Sequence, residues 1–251
     1  MIRIKDLQVG HRLLPLSFEC EAGEVLHILG PNGCGKSTLL GALAGMTECQ
    51  GEVWFDDVLV SKLSLPELAL KRAFLPQAQR PSFNLDVFQY LALSLPACID
   101  VHDEKVLPVV NELSELLNIS DKLHRSIHQL SGGEWQRVRL AGCCLQIWPT
   151  LNPYAKMLIL DEPAAPLDIA QEALLYKLIA YVKQQGITVV MANHDLNRSL
   201  RHADRVVLLR KGVVESIGLP IEVLTEEMLA CVFNTSVKLV DFDGKSILLF
   251  E

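Results

Sequence analysis

The chain has 251 residues, of which 50% are hydrophobic and only 6% aromatic, enough to bury a large core as one compact unit or as two small lobes. Thirty acidic residues against 23 Lys and Arg leave a net charge of -7, which argues against a nucleic-acid binder held by phosphate neutralisation. Mean hydropathy is +0.26, yet the apolar runs at 157–160 and 187–192 have strand length, and no segment is long enough to span a bilayer.

The opening residues Met1-Ile2-Arg3-Ile4-Lys5-Asp6 lack the basic-then-apolar layout of a secretory signal, so the expected compartment is the cytosol. Ile2, Ile4 and Leu7 alternate as in a strand, and a second strand is expected at Glu24–Leu29, bounded by Gly23 and Gly30. A helical pattern runs from Lys36 to Met46, and a short strand, Gly51–Phe55, ends at the turn Asp56-Asp57. From Leu85 to Trp148 the periodicity turns helical through Val87, Tyr90, Leu91, Val106, Val109, Val110, Leu113, Leu116 and Leu117, which predicts a helical insertion. Strands are expected again at Lys156–Leu160, Ile187–Asn193 and Arg205–Leu209, alternating with helices at Ile169–Gln185 and Asp195–His202. That alternation is the rhythm of an α/β fold with a mostly parallel, helix-covered sheet. Val237–Phe250, folded about Asp243-Gly244, reads as a hairpin. The seven cysteines, Cys20, Cys34, Cys49, Cys98, Cys143, Cys144 and Cys231, contain no Cys-x-x-Cys pair and read as reduced thiols.

Three segments carry chemistry. Gly30-Pro31-Asn32-Gly33-Cys34-Gly35-Lys36-Ser37-Thr38 fits G-x-x-x-x-G-K-[ST] between an expected strand and an expected helix. Its glycines let successive N–H groups turn inward on phosphate oxygens, Lys36 neutralises the β and γ phosphates, Ser37 offers a hard oxygen to Mg²⁺, and Thr38 reaches the α-phosphate. Met157-Leu158-Ile159-Leu160-Asp161-Glu162-Pro163 is an apolar strand ending in acid. Asp161 suits water-mediated Mg²⁺ contact, and Glu162 is the candidate general base for an attacking water. Leu130-Ser131-Gly132-Gly133-Glu134 opens a helix and can bind an anion at its N-terminus. The plainer reading is a capping box between Ser131 and Glu134, and the two are compatible.

Taken together with His194 in Asn193-His194-Asp195, these segments resemble the ATP-binding cassette (ABC) ATPases over essentially the whole chain. The resemblance implies a P-loop NTPase core with an antiparallel β portion and an inserted α-helical subdomain. One nucleotide-binding domain would then cover 1–251, its core lobe 1–84 and 149–251, its helical subdomain 85–148. It also implies ATP and Mg²⁺ as cofactors and a head-to-tail dimer in which Ser131, Gly132, Gly133 and Glu134 contact the γ-phosphate held by a second copy. Gln77 would touch Mg²⁺ and the attacking water, joining Ser37 and Asp161 as metal-site residues. His194 would bond the γ-phosphate and steady Glu162, and Asp168 would belong to the loop that crosses the dimer interface. In two places the chain departs from the family: Pro166 replaces the usual serine of that loop, and no aromatic residue stands among Gln8-Val9-Gly10-His11-Arg12 to stack on adenine, leaving His11 or Arg12.

Gln77 and Ser131 stand 54 positions apart, room for a compact helical lobe but not for the long coiled coil of DNA-repair and chromosome-type members. A single cassette with no fused membrane segment points to a detached transporter subunit. The stretch 132–141, with Leu145-Gln146-Ile147, Asn152-Pro153, His194–Asn197 and Leu200–Ala203, resembles the ATPases of cobalamin (vitamin B12) importers. Iron-siderophore and haem importers are near relatives, and a soluble non-transport ABC ATPase is the reading from a different class. The importer resemblance implies a bacterial translocase subunit, peripheral on the cytoplasmic face of the inner membrane. Its partners would be a multi-span permease in two copies and, indirectly, a periplasmic substrate-binding protein, with no nucleic acid. The permease contact is expected at Arg80–Val87, through Phe83 and Leu85.

Overall fold

The computed structural model describes every residue except 78, 79 and 251. The strands are β1 (Ile2–Val9), β2 (Leu13–Cys20), β3 (Val25–Leu29), β4 (Gln50–Phe55), β5 (Val58–Leu59), β6 (Arg72–Leu75), β7 (Met157–Asp161), β8 (Thr188–Ala192), β9 (Arg205–Arg210), β10 (Val213–Gly218), β11 (Val237–Phe242) and β12 (Lys245–Phe250). The helices are α1 (Lys36–Leu43), α2 (Leu65–Lys71), α3 (Val87–Leu93), α4 (Val106–Leu116), α5 (Gly132–Ile147), α6 (Ile169–Gln184), α7 (Leu196–His202), α8 (Pro220–Val223) and α9 (Glu226–Phe233). The chain divides into two compact units, one of Met1–Ser61 with Val190–Glu251 and one of Lys62–Val189, and it passes between them within β8.

In the first unit an antiparallel sheet has the order β2-β1-β4-β5. Strand β1 is irregular between Lys5 and Gln8, where Asp6 takes φ of +49°. A Cβ on Gly51 would stand 2.2 Å from the Asp6 carbonyl oxygen, so only glycine permits that approach. A second set of strands runs β10-β9-β3-β8, with β3 parallel to β9 and every residue of β3 buried. Continuous burial of this kind is the mark of a parallel strand covered on both faces. Lys211 and Gly212, at φ of +48° and +81°, make the tight turn from β9 to β10, and Asp243 and Gly244 do the same for β11 and β12. Leu29, Leu196, Val206, Leu208, Leu229 and Leu248 share one apolar cluster, which docks α7, α9 and the terminal hairpin.

In the second unit β6 and β7 pair in parallel, Leu75 opposite Leu160, and the Thr188 N–H donates to the Lys156 carbonyl just ahead of β7 (3.0 Å). Between β6 and β7 the described residues form α3, α4 and α5 and no strand. The fold is therefore the α/β P-loop architecture, with an antiparallel portion and an inserted helical segment. Several elements were not anticipated: β2 carries Pro15, while α2, α8 and α9 are short. The first helix closes at Leu43 rather than Met46, because Gly45 turns left-handed at φ of +66°.

Candidate functional site

In the first unit, β3 delivers the chain into the loop Gly30–Thr38. Gly30 has φ of +146°, and a Cβ there would lie 2.2 Å from the Leu209 carbonyl oxygen; Gly33 and Gly35 have φ of +77° and +112°. Three glycines with positive φ within six residues give the tight, irregular backbone from which an anion-binding nest is built. Lys36, 5% exposed, donates to the carbonyls of Gly30 (2.9 Å) and Pro31 (3.4 Å). The loop is fastened from outside: the Gly212 N–H donates to the Cys34 carbonyl (2.9 Å), and the Leu14 N–H to the Gly212 carbonyl (2.8 Å). Cys34 is buried, and burial pushes its thiol up from the ordinary range. Asn32, Gly33 and Ser37 are exposed, and Pro31, Gly35 and Thr38 half-buried. His11 and Arg12 are exposed on the turn between β1 and β2, where the Arg12 carbonyl would lie 3.1 Å from a Cβ at Gly35.

His194 is exposed directly after β8. The sequence offers no reason to single out its neighbour Asn193, yet that residue shapes the turn. The Asn193 N–H donates to the Ile28 carbonyl (3.1 Å), two residues before Gly30, and its Oδ1 accepts from the N–H of His194 (2.8 Å) and of Asp195 (3.2 Å). The turn bearing His194 thus lies beside the strand that leads into the loop Gly30–Thr38. Behind it Asn193 Nδ2 donates to Ser199 Oγ (3.3 Å), which also meets His27 Nδ1 (2.9 Å).

In the second unit, Asp161 ends β7 at 5% exposure and Glu162 follows at φ of +49°, a left-handed conformation that costs a non-glycine residue about 1 kcal/mol or more. Gln77 and Asp161 line one cavity of about 600 Å³, together with Arg80, Trp135 and Arg139. Ser131 caps α5 as the sequence suggests: its Oγ accepts from the Glu134 N–H (3.2 Å) and Glu134 Oε2 from the Ser131 N–H (2.8 Å). These hydrogen bonds from Ser131, with Lys122 3.4 Å away, hold the Glu134 carboxyl below the usual carboxylate range. Gly133 is buried with the Pro166 carbonyl 3.2 Å and Gln171 Oε1 2.2 Å from its virtual Cβ, whereas Gly132 is exposed and meets only Pro166 Cβ at 4.0 Å. Asp168 caps α6 by accepting from the Gln171 N–H (2.8 Å). Phe83 is 58% exposed, while Arg80 Nη2 donates to the Leu130 carbonyl (2.6 Å) and the Leu85 carbonyl accepts from the Ile127 N–H (2.9 Å).

A family model described as ABC transporter matches residues 13–165. The vitamin B12 import ATP-binding protein BtuD of Vibrio atlanticus is 62% identical over 251 residues, covering 100% of both chains. Its namesake in Photobacterium profundum is 52% identical over 247 residues, covering 98% of each chain. Among solved structures, the dimeric structure of a bacterial ABC transporter cassette superposes with a TM-score of 0.75 at 25% identity, covering 88% of this chain and 99% of that one.

Proposed function

This chain belongs to the ABC transporter family and is the ATP-hydrolysing subunit of a bacterial importer, and we propose that the cargo it drives is cobalamin. One observation carries the cargo assignment: the 62% identity to a protein named for vitamin B12 import runs over the whole of both chains.

In this reading the loop Gly30–Thr38 wraps the triphosphate of ATP, and Lys36 exchanges the carbonyls of Gly30 and Pro31 for β and γ oxygens. Ser37, Gln77 and Asp161 are oxygen donors suited to Mg²⁺, which when bound would neutralise charge on the β and γ phosphates. Glu162 takes a proton from water as the water oxygen bonds to the γ-phosphorus and the bond to the β–γ bridging oxygen breaks, leaving ADP and phosphate. Gln77 orients that water, and His194 holds the γ-phosphate.

Ser131, Gly132, Gly133 and Glu134 act on the nucleotide of a second copy, in a head-to-tail dimer. The openness around Gly132 supports this: among the described residues no neighbour demands a glycine there, and an approaching phosphate would. Asp168 and Pro166 form the loop beside the dimer interface, with residues 85–148 as the inserted helical subdomain. The Arg80–Val87 loop with Phe83, where the chain enters that subdomain, faces a permease present in two copies, fed by a periplasmic binding protein. The chain then lies on the cytoplasmic face of the inner membrane.

The test is uptake by vesicles carrying the full chain and its co-purified permease. ATP-driven accumulation of labelled cyanocobalamin supports the assignment. Accumulation of a ferric siderophore or haem instead moves the cargo to a sister branch. Recovery of the chain with no integral membrane partner overturns the permease reading.

A further inference from the structure

Gln136 and Arg139 stand one turn apart on α5, 2% and 5% exposed. Gln136 Nε2 donates to the Pro163 carbonyl (2.8 Å), and Gln136 Oε1 accepts from Arg139 Nη1 (2.8 Å). Arg139 Nη2 donates in turn to the Pro76 carbonyl (2.5 Å). These bonds form one chain, from Pro163 through both side chains to Pro76. Its ends lie next to reactive groups, since Pro163 follows Glu162 and Pro76 precedes Gln77.

A guanidinium is an expensive way to fill this place. Withdrawing it from water costs several kcal/mol or so by general experience, and among the described residues Arg139 forms no ion pair to offset that. Its neighbours Val138, Leu140 and Ala141 fill their buried places on α5 with apolar side chains. What an apolar residue cannot do is donate two directed, charge-assisted hydrogen bonds at once. Both acceptors of the chain's ends are proline carbonyls, on residues whose φ is fixed, so the grip is on stiff backbone. Arg139 also lines the cavity that holds Gln77 and Asp161 on its walls.

We propose that Gln136 and Arg139 are positioning residues that fix the Gln77 loop against the Glu162 turn, so that the group orienting the attacking water and the base that deprotonates it keep one separation. The inference rests on the roles given above to Glu162 and Gln77. Because the triphosphate is held by Gly30–Thr38, a misplaced base slows the chemical step and leaves nucleotide affinity alone.

Two variants of the full chain test this. Gln136→Glu keeps the acceptor for Arg139 and removes the donor to Pro163; Arg139→Lys keeps the cation and at most one of its two bonds. Each is expected to lower kcat by about tenfold or more while KM and the Kd of a fluorescent ATP analogue stay within about twofold. The double variant should fall no more than about threefold below the worse single one, since both cut one chain. Unchanged kcat, parallel loss of kcat and nucleotide affinity, or fully multiplicative effects would each overturn the proposal. If Gln136→Glu does not fold, Arg139→Lys is judged by the same split. Glu162→Gln is assayed alongside: if it retains turnover, the site reading itself fails, whereas a silent Glu162→Gln with both positioning variants at full rate removes only the proposal.

Discussion

His27 Nδ1 lies 2.9 Å from Ser199 Oγ, inside the first unit and sealed from solvent. The Ser199 hydroxyl gives its hydrogen to the Asp195 carbonyl (2.9 Å), so His27 is the donor and carries its hydrogen on Nδ1. Burial, reinforced by the nearby His202, pulls the His27 pKa down to about 3. The folded chain therefore refuses a proton that the unfolded chain accepts below its ordinary value of 6.5. Stability is expected to fall as pH drops below 6.5, approaching about 1.4 kcal/mol per pH unit from this one group, with the loss complete near the folded pKa. Urea midpoints between pH 7.5 and 5 would measure it, and His27→Gln should flatten the slope by about one proton's worth. An unaltered slope in that variant would place the titration elsewhere.

Glu162→Gln keeps the size of the side chain but cannot accept the proton. It should bind ATP, turn over at least about a hundredfold more slowly, and accumulate as an ATP-bound dimer visible by gel filtration. Full turnover would take the base role away from Glu162.

Gly30 and Gly132 are expected to fail in different ways. At Gly30 an alanine meets the Leu209 carbonyl at 2.2 Å with φ of +146°, so Gly30→Ala should cost more than about 2 kcal/mol in denaturant unfolding. Gly132→Ala meets no such obstacle and favours the helix, so its melting temperature should hold or rise while ATPase activity falls by about tenfold or more. Intact activity in Gly132→Ala would argue against an approaching phosphate at that residue.

Thiol chemistry gives a further check. Cys98 and Cys231 are exposed and should label first with a maleimide, whereas Cys34 is buried, with a thiol pushed further from ionisation. Labelling of Cys34 should be slow in the native chain and should abolish ATP binding once it occurs, because the sulfur is only 2.7 Å from the virtual Cβ of Gly30. Peptide mapping against time reads both outcomes, and a Cys34-labelled chain that still binds ATP would place the thiol outside the wrap.

The loop Gly30–Thr38 was legible because its glycines and Lys36 sit at fixed spacing, β7 and β8 because their apolar runs are strand-length, and β3 because Gly23 and Gly30 bound a mostly apolar stretch. The hairpin at Asp243-Gly244 declared itself through its turn residues. Strand β2 stayed hidden because Pro15 breaks its pattern, a residue tolerated here at an exposed position of an outer strand. Asn193, Gln136 and Arg139 carry no signal of their own. Each reaches a main-chain group contributed by another element, as Arg139 reaches the Pro76 carbonyl 63 positions away, and such long-range partners leave no mark in the local sequence pattern.

The bonds of Gly212 to Cys34 and Leu14 bear on how the protein is made. The glycine-rich loop leaves the ribosome early, but the strand that flanks β3 and the turn that grips the loop come some 170 residues later. Synthesis runs at roughly 5–20 residues per second, so that interval lasts on the order of ten seconds or longer. During it the nascent chain carries the phosphate-loop residues without the clasp at Gly212. A truncated message ending before that glycine would yield a polypeptide that contains all of Gly30–Thr38 and lacks the two hydrogen bonds through which Gly212 fastens it.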